Sequence, residues 1–169
     1  MQAARAISGR FTALGLAIGA AVCLVDQAHK VWMLFLFDIA SREPVVLTPF
    51  LEMVLVWNRG ISYGLLQQDS PNGPLILAGL MLVAAISLTV WLSRTDSRLA
   101  AIALGLIIGG AIGNAIDRLL YGAVADFFHF HMGDFSWYVF NIADVAIVAG
   151  VGLLLYETLV GKGRPDAAA

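Results

Sequence analysis

The sequence predicts an all-α membrane protein, with four transmembrane helices and a small β-rich cradle, or flap, on the extracytoplasmic side. Hydrophobic residues make up 60% of its 169 residues and charged residues only 13%, and the mean hydropathy is +0.84. A soluble domain carries about 25% charged residues. The composition therefore excludes a water-soluble globule, and it excludes a disordered chain, which needs the opposite composition.

Four apolar stretches are long enough to cross a bilayer, which takes about 20 residues in a helix. Residues 75–92 and 99–116 contain no charged residue, and the last stretch is apolar apart from Asn141, Asp144 and Glu157. We find no internal repeat and no sign of a second domain. The sequence predicts a single membrane domain over 1–169, with helices at approximately 11–31, 74–93, 99–117 and 141–160.

The first apolar stretch has a second interpretation. Arg5 and Arg10 precede it, as in a secretory signal peptide. Residues 20–23 (Ala-Ala-Val-Cys) also resemble a lipoprotein cleavage site. Val22 is too large for the position before the cysteine, so we favour a retained helix.

Basic residues predict the orientation, because cytoplasmic segments are enriched in lysine and arginine. Six of the ten basic residues flank the helices on one side. Both termini are therefore expected in the cytoplasm, and the connections at about 32–73 and 118–140 are expected outside. The six residues are Arg5, Arg10, Arg94, Arg98, Lys162 and Arg164.

The first outer connection predicts a β-rich segment at about 38–73. Residues 52–57 are rich in β-branched and aromatic side chains, and Asn58-Arg59-Gly60 is typical of a turn. A short second strand at 61–66 is expected to pair back on the first. The aromatic residues expected at the membrane interface are Trp57, Tyr63, Trp137 and Tyr138.

Small residues recur every four positions on two predicted helices. Such spacing lets helix backbones approach closely in lipid. We interpret these residues as packing positions within a monomer. They are Gly15 and Gly19 on the first helix, and Ala101, Gly105, Gly109 and Gly113 on the third.

Polar residues converge at one predicted depth. At 1.5 Å per residue, Asp26, Asn114 and Asp144 lie roughly 24–30 Å from the cytoplasmic anchors of their helices. Asp126 follows the third helix closely enough to return to that level. Three groups of these residues each share one helix face, because the later members lie three or four positions after the first. The groups are Asp26 with Lys30, Asn114 with Asp117 and Arg118, and Asn141 with Asp144. An alternative interpretation is that these residues have no functional role and form ordinary ion pairs at the membrane interface, Asp26 with Lys30 and Asp117 with Arg118.

The side-chain inventory limits the chemistry. No His-Glu-x-x-His or Gly-x-Ser-x-Gly motif is present, and the chain has only one cysteine. His129 and His131 alone are a weak case for a metal, so we expect neither metal nor cofactor. A net charge of −2 without a basic block gives no indication of a nucleic-acid partner. The remaining candidates for catalysis are pairs of carboxylates, which are the catalytic groups of aspartic proteases.

Five blocks in order resemble lipoprotein signal peptidase, the family also called signal peptidase II, and they cover most of the chain. The family usually has Asn-Thr-Gly where this chain has Asn58-Arg59-Gly60, which leaves the role of Arg59 open. The blocks are 25–30 (Val-Asp-Gln, then Lys30), 57–60 (Trp-Asn-Arg-Gly), 109–118 (Gly-Gly-Ala-Ile-Gly-Asn-Ala-Ile-Asp-Arg), 122–127 (Gly-Ala-Val-Ala-Asp-Phe) and 140–144 (Phe-Asn-Ile-Ala-Asp).

The resemblance implies an aspartic endopeptidase of the bacterial inner membrane, inhibited by the cyclic peptide globomycin. It would remove the signal peptide of a prolipoprotein just before a cysteine carrying diacylglycerol, using water activated by Asp126 and Asp144. Residues expected to support the pair or contact substrate are Asn58, Gly60, Asn114, Arg118, Asn141, Asp26, Lys30 and Asp117.

Two other function classes were weighed. A proton-coupled transporter would place carboxylates near the bilayer midplane in broken helices, whereas the second and third helices are uncharged through their depth. A structural scaffold would explain the glycines but not the polar residues at one leaflet. We therefore favour the peptidase.

Overall fold

The computed structural model describes residues 9–60, 72–133 and 135–161. It contains four long helices and one antiparallel sheet of four strands, which confirms the predicted fold class. In chain order the elements are α1 (Thr12–Val31), β1 (Val45–Thr48), β2 (Leu51–Asn58), α2 (Gly73–Leu92), α3 (Arg98–Tyr121), β3 (Val124–Met132), β4 (Phe135–Phe140) and α4 (Ile142–Gly161).

Each long helix is long and apolar enough to cross a membrane. The first continues past α1 as a π-helical turn, Trp32–Leu36. The third was expected to end near 117, but it runs to Tyr121 and stops at Gly122, whose φ of 71° is left-handed. The difference arises because Asp117 and Arg118 are buried against protein, so their charges do not mark the membrane boundary.

The third helix lies at the centre of the bundle. Within its apolar window 67% of residues are buried, against 17–22% in the other three helices. Glycine makes this possible, because a Cβ at Gly105 or Gly109 would collide with the carbonyl oxygen of Gly15 or Gly19 on α1. The predicted close packing of these two helices within one chain is confirmed.

The sheet has the strand order β1-β2-β3-β4. The predicted β-rich segment supplies β1 and β2, but β3 and β4 come from the connection at 118–140, for which no strands were predicted. The expected strand at 61–66 lies outside the described residues, as does Tyr63. Strand β3 escaped prediction because its first four residues are all buried, which removes the alternation of a half-exposed strand. Strand β4 shows no alternation either, since its first three residues are all exposed and its last three all partly buried.

Strand β3 presents different residues on its two faces. Ala125 and Phe127 pack with Met33 and Ile39, which follow α1. Successive side chains of a strand point to opposite faces, so Asp126 points away from this apolar cluster. Its partner across the ladder is Val56, next to an irregularity in β2. The sheet thus directs the carboxylate of Asp126 towards Asn141, which directly precedes α4.

Candidate active site

Asp126 lies on β3 and is almost completely buried, with 1% of its surface exposed. Two side-chain amides donate to its two oxygens. Asn141 Nδ2 is 2.6 Å from Oδ1, and Asn58 Nδ2 is 3.1 Å from Oδ2. The carboxyl group is therefore held on both sides.

Asp144 lies in the first turn of α4 and is partly exposed. Asn114 Nδ2 donates to its Oδ1 at 2.9 Å, and the backbone N–H of Asn141 donates to its Oδ2 at 3.2 Å. Asn141 therefore contacts both carboxylates and links them directly.

The turn after β2 orients Asn58. The backbone N–H of Gly60 donates to Asn58 Oδ1 at 3.0 Å, which turns the amide nitrogen towards Asp126. Arg118 Nη2 donates to the carbonyl of Gly60 at 2.7 Å and holds the turn against α3. Arg59, between them, is exposed.

A cavity of about 220 Å³ opens beside Asp144. Its lining includes Asn58, Asn114, Arg118 and Asp144, together with Val124 and Tyr138 of the sheet. The buried Asp126 is not part of the lining. Arg118 is buried, and within the described part of the chain its Nε has no hydrogen-bond partner. The cavity thus combines a carboxylate with an unused cationic donor.

A buried ionic cluster lies beside this cavity without lining it. Lys30 Nζ is 2.8 Å from Asp26 Oδ2 and 2.8 Å from Asp117 Oδ2, and the three side chains are 0–2% exposed. Lys30 Nζ also lies 3.3 Å from Asn114 Oδ1, which connects the cluster to the contacts of Asp144.

Burial is the main cause that raises the pKa of Asp126 from its ordinary 3.8 to about 7, and the negative charge of Asp144 adds to it. The amides of Asn58 and Asn141 act in the opposite direction because they favour the ionised form. Near neutral pH Asp126 therefore still carries a proton in part of the molecules. A carboxyl group that keeps its proton close to a second, charged carboxylate is a feature of aspartic proteases.

Comparison with known proteins identifies the family of this chain. The sequence profile of signal peptidase (SPase) II matches residues 18–160. This chain belongs to the signal peptidase II family. The lipoprotein signal peptidase of Methylobacterium sp. (strain 4-46) is 55% identical over 155 residues, covering 92% of this chain and 94% of the relative. That of Nitrobacter hamburgensis is 55% identical over 150 residues, covering 86% and 92%.

Solved structures support the same fold for this signal peptidase. A bacterial membrane enzyme determined by the in meso method at 2.3 Å superposes with a TM-score of 0.81 and 24% identity, covering 96% of this chain and 97% of that one. A second, at 1.9 Å, gives a TM-score of 0.73 at 25% identity, covering 92% and 98%. The chain is accordingly a multi-pass membrane protease.

The residues selected from the sequence meet in one hydrogen-bonded network of the peptidase. The interpretation of Asp117–Arg118 as an ordinary ion pair is wrong, because Asp117 pairs with Lys30 and Arg118 donates to backbone carbonyls. The network joins Asp26, Lys30, Asn58, Gly60, Asn114, Asp117, Arg118, Asp126, Asn141 and Asp144.

Gln27 is a site residue that sequence reasoning left without a role. Its Nε2 donates to Asp117 Oδ1 at 2.9 Å and to the carbonyl of Gly113 at 3.1 Å. The signal available was its position beside Asp26 in the first family block. Gln27 helps to fix α1 against α3 at the level of the site.

The two sheet histidines of the peptidase lie on β3, away from the aspartates. His129 Nδ1 is 2.8 Å from Glu52 Oε1, and its Nε2 is 2.7 Å from Ser136 Oγ. The ring of His131 lies 5.4 Å from that of His129. Both nitrogens of His129 are therefore used in joining β2, β3 and β4.

An apolar groove of about 350 Å³ adjoins the cavity and shares Tyr138, Asp144 and Val148 with it. Phe140, Val145 and Val148 line it together with Trp137 and Tyr138 of β4. Val145 and Val148 are exposed on the surface of α4. The groove brings an apolar surface up to one of the carboxylates of the signal peptidase.

Proposed function

We propose that this peptidase removes the signal peptide of a prolipoprotein by cutting just before a cysteine that carries diacylglycerol. Asp126 and Asp144 are the proposed catalytic pair. The observation that carries the proposal is the contact of both carboxylates with Asn141, together with the raised pKa of Asp126. No cofactor enters the reaction as proposed.

The chemistry is direct attack by water. Asp144, which lines the cavity, accepts a proton from water as the hydroxyl adds to the scissile carbonyl carbon, and the protonated Asp126 gives its proton to the carbonyl oxygen. The product of this step is a tetrahedral diol. The proton on Asp144 then passes to the leaving nitrogen as the C–N bond breaks, and Asp126 recovers its proton from a diol hydroxyl. The products are a free signal-peptide carboxylate and a cysteine with a free amino group, still carrying its lipid.

The other site residues divide by their position. Asn58, Asn114 and Arg118 line the cavity and are proposed to contact the substrate. Gly60 and Asn141 are proposed to hold Asn58 and the aspartates in place. The buried cluster of Asp26, Lys30 and Asp117 is proposed to support the site without touching substrate, since its charged groups are engaged with one another and with backbone N–H groups.

The lipid of the substrate is proposed to lie in the apolar groove beside Asp144. Exposed Val145 and Val148 would let acyl chains extend along α4 into the bilayer. Burying apolar chain contributes about 0.8 kcal/mol per CH₂ group. Such binding would make the lipid part of substrate recognition.

We infer that the enzyme is a single-domain monomer of the bacterial inner membrane with both termini in the cytoplasm. Arg94 and Arg98, exposed around the α2–α3 turn, support a cytoplasmic turn. The sheet and both aspartates lie at the opposite ends of the helices, so the active site would face outward. The substrate prolipoprotein and the phospholipid bilayer are the expected partners.

The decisive experiment is cleavage of a diacylated prolipoprotein by the purified enzyme, with mass analysis of the products. The same prolipoprotein without lipid is the matched substrate control. We expect cleavage before the modified cysteine, blocked by globomycin, and at least tenfold slower turnover of the unlipidated form. Equal rates for both forms would contradict the proposed role of the lipid, and insensitivity to Asp126→Asn would contradict the mechanism.

A further inference from the structure

The buried cluster of Asp26, Lys30 and Asp117 is an unusual feature for an apolar helix bundle. Two carboxylates and one ammonium group lie at 0–2% exposure between α1 and α3. Removing charges from water costs free energy that their mutual attraction often fails to recover. Stability alone is therefore a weak explanation for this cluster.

Each carboxylate of the cluster also holds one backbone position. Asp26 Oδ1 accepts from the N–H of Ala143 at 3.0 Å, and Ala143 directly precedes Asp144. Asp117 Oδ2 accepts from the N–H of Ala125 at 3.1 Å, and Ala125 directly precedes Asp126. The two carboxylates of the cluster therefore fix the residues next to the two aspartates of the proposed pair.

Lys30 adds a third connection through Asn114. The oxygen of the Asn114 amide accepts from Lys30 Nζ at 3.3 Å and from Asn141 Nδ2 at 3.1 Å. With its oxygen engaged there, the amide presents Nδ2 to Asp144 Oδ1 at 2.9 Å. The ammonium group thus sets the direction of an amide that contacts Asp144.

We propose that Asp26, Lys30 and Asp117 form a positioning cluster that fixes the separation and orientation of Asp126 and Asp144. Lys30 joins the two carboxylates, and each carboxylate anchors the backbone beside one member of the pair. This inference rests on the proposed function, in which Asp126 and Asp144 are catalytic. The three residues act through their neighbours and are not catalytic themselves.

The test is Lys30→Met, which keeps the length of the side chain and removes the ammonium group. We expect kcat to fall at least 100-fold and KM to change less than threefold, with the protein still folded in detergent. The matched control is Glu52→Gln, which removes the charge of a partly buried carboxylate of the sheet whose Oε1 lies 2.8 Å from His129 Nδ1. It should keep kcat within threefold.

A fall in kcat without a change in KM is the result that a purely structural role would not produce, and the pH profile adds a second readout. The charged groups acting on Asp126 are Asp144 on α4, Arg118 on α3 and Lys30 on α1. Removing the positive charge of Lys30 makes the ionised form of Asp126 less favourable. The alkaline limb of the rate profile should therefore move to higher pH in Lys30→Met and stay in place in Glu52→Gln.

A second variant covers the case in which Lys30→Met does not fold. The double variant Asp26→Asn/Lys30→Met keeps the net charge of the cluster and leaves an amide oxygen able to accept from Ala143. A folded double variant with kcat reduced at least 100-fold supports the proposal. A folded single or double variant with kcat within threefold of wild type overturns it, and so does failure of both to fold, which would assign the cluster to stability.

Measuring Asp126→Asn and Asp144→Asn in the same assay separates failure of the positioning role from failure of the proposed function. If both are inactive while Lys30→Met is active, only the positioning role fails. If either one retains wild-type activity, the proposed function itself fails, whatever Lys30→Met does.

Discussion

Asn141 and Asp144 exchange two hydrogen bonds across the first turn of α4. The N–H of Asp144 donates to Asn141 Oδ1 at 3.0 Å, and the N–H of Asn141 donates to Asp144 Oδ2 at 3.2 Å. This is a reciprocal cap of the helix N-terminus, in which each side chain satisfies a backbone donor that the helix leaves unpaired. The cap also directs Asn141 Nδ2 at Asp126.

Substitutions of Asn141 should separate these two roles. Asn141→Ser keeps an oxygen that can cap the helix but loses the donor to Asp126. We expect a thermal midpoint close to wild type with turnover reduced at least tenfold. Asn141→Ala loses the cap as well and should cost about 1 kcal/mol of stability. Equal stability loss in both variants, measured by thermal unfolding in detergent, would contradict this division.

Neutralising either aspartate should abolish cleavage. Acid–base groups contribute about 10²–10⁴-fold in rate, and groups that act together lose activity non-additively. We expect Asp126→Asn and Asp144→Asn each to fall to near background in the prolipoprotein assay, with the double variant scarcely worse.

Folding must be measured on the same samples. Both oxygens of Asp126 and of Asp144 accept hydrogen bonds, so an asparagine at either position turns an NH₂ group towards a donor. Such a mismatch costs about 1–3 kcal/mol. Asp38→Asn and Asp96→Asn, at exposed positions, serve as controls and should keep most activity. A well-folded dyad variant at half the wild-type rate would refute the mechanism.

The pKa of Asp126, raised to about 7, predicts an alkaline limb in the rate profile. Below pH 7 Asp126 keeps its proton, and above it the rate should fall about tenfold per pH unit. Asn58→Ala removes a donor that favours the ionised form, so the limb should move to higher pH. Movement to lower pH would show that Asp126 is not the group being titrated.

The same raised pKa affects stability. The unfolded state releases the Asp126 proton near pH 4, whereas the folded state keeps it until about pH 7. The stabilising contribution is therefore complete below about pH 4 and is lost as the pH rises to about 7. Asp126→Asn lacks this contribution to the pH dependence. Thermal midpoints of both proteins between pH 4 and 8 measure the difference.

Glycine at position 113 is expected to be essential to the site. A Cβ there would lie 2.7 Å from Asp26 Oδ2, a carboxylate fixed by Lys30 and Ala143. Gly113→Ala should lower both the thermal midpoint and the turnover. Gly152→Ala is the matched helical control, because a Cβ there meets nothing within 4 Å. It should be neutral or stabilising by up to about 1 kcal/mol.

The orientation can be tested by labelling introduced cysteines in intact cells, after Cys23→Ala removes the native thiol. Glu43 lies just before β1 and Asp96 lies in the α2–α3 turn, and both are exposed. We expect Glu43→Cys to react with a membrane-impermeant reagent and Asp96→Cys to react only after permeabilisation. Reaction of both in intact cells would contradict a cytoplasmic turn.

Much of this fold could be predicted from local patterns. Helices α2 and α4 were expected within one or two residues of their observed bounds, because long, strongly apolar stretches leave few alternatives. The extension of α3 to Tyr121 could not be predicted. A charged residue usually marks the end of a membrane-spanning stretch, but Asp117 and Arg118 are buried against protein and so do not mark one. Strand β3 could not be predicted for a related reason, since burial on both faces at its start removes the alternation of exposed and buried residues.

The sequence by itself determined that this is a membrane protein, which residues share a helix face, and the family to which its blocks belong. These properties depend on composition and on the spacing of residues within single elements. Only the tertiary structure decided which side chains meet. Lys30 and Asn114 are 84 positions apart, and Asp26 meets the N–H of Ala143 across 117. Such contacts depend on how the helices pack, and a buried charge takes whichever partner that packing brings within reach.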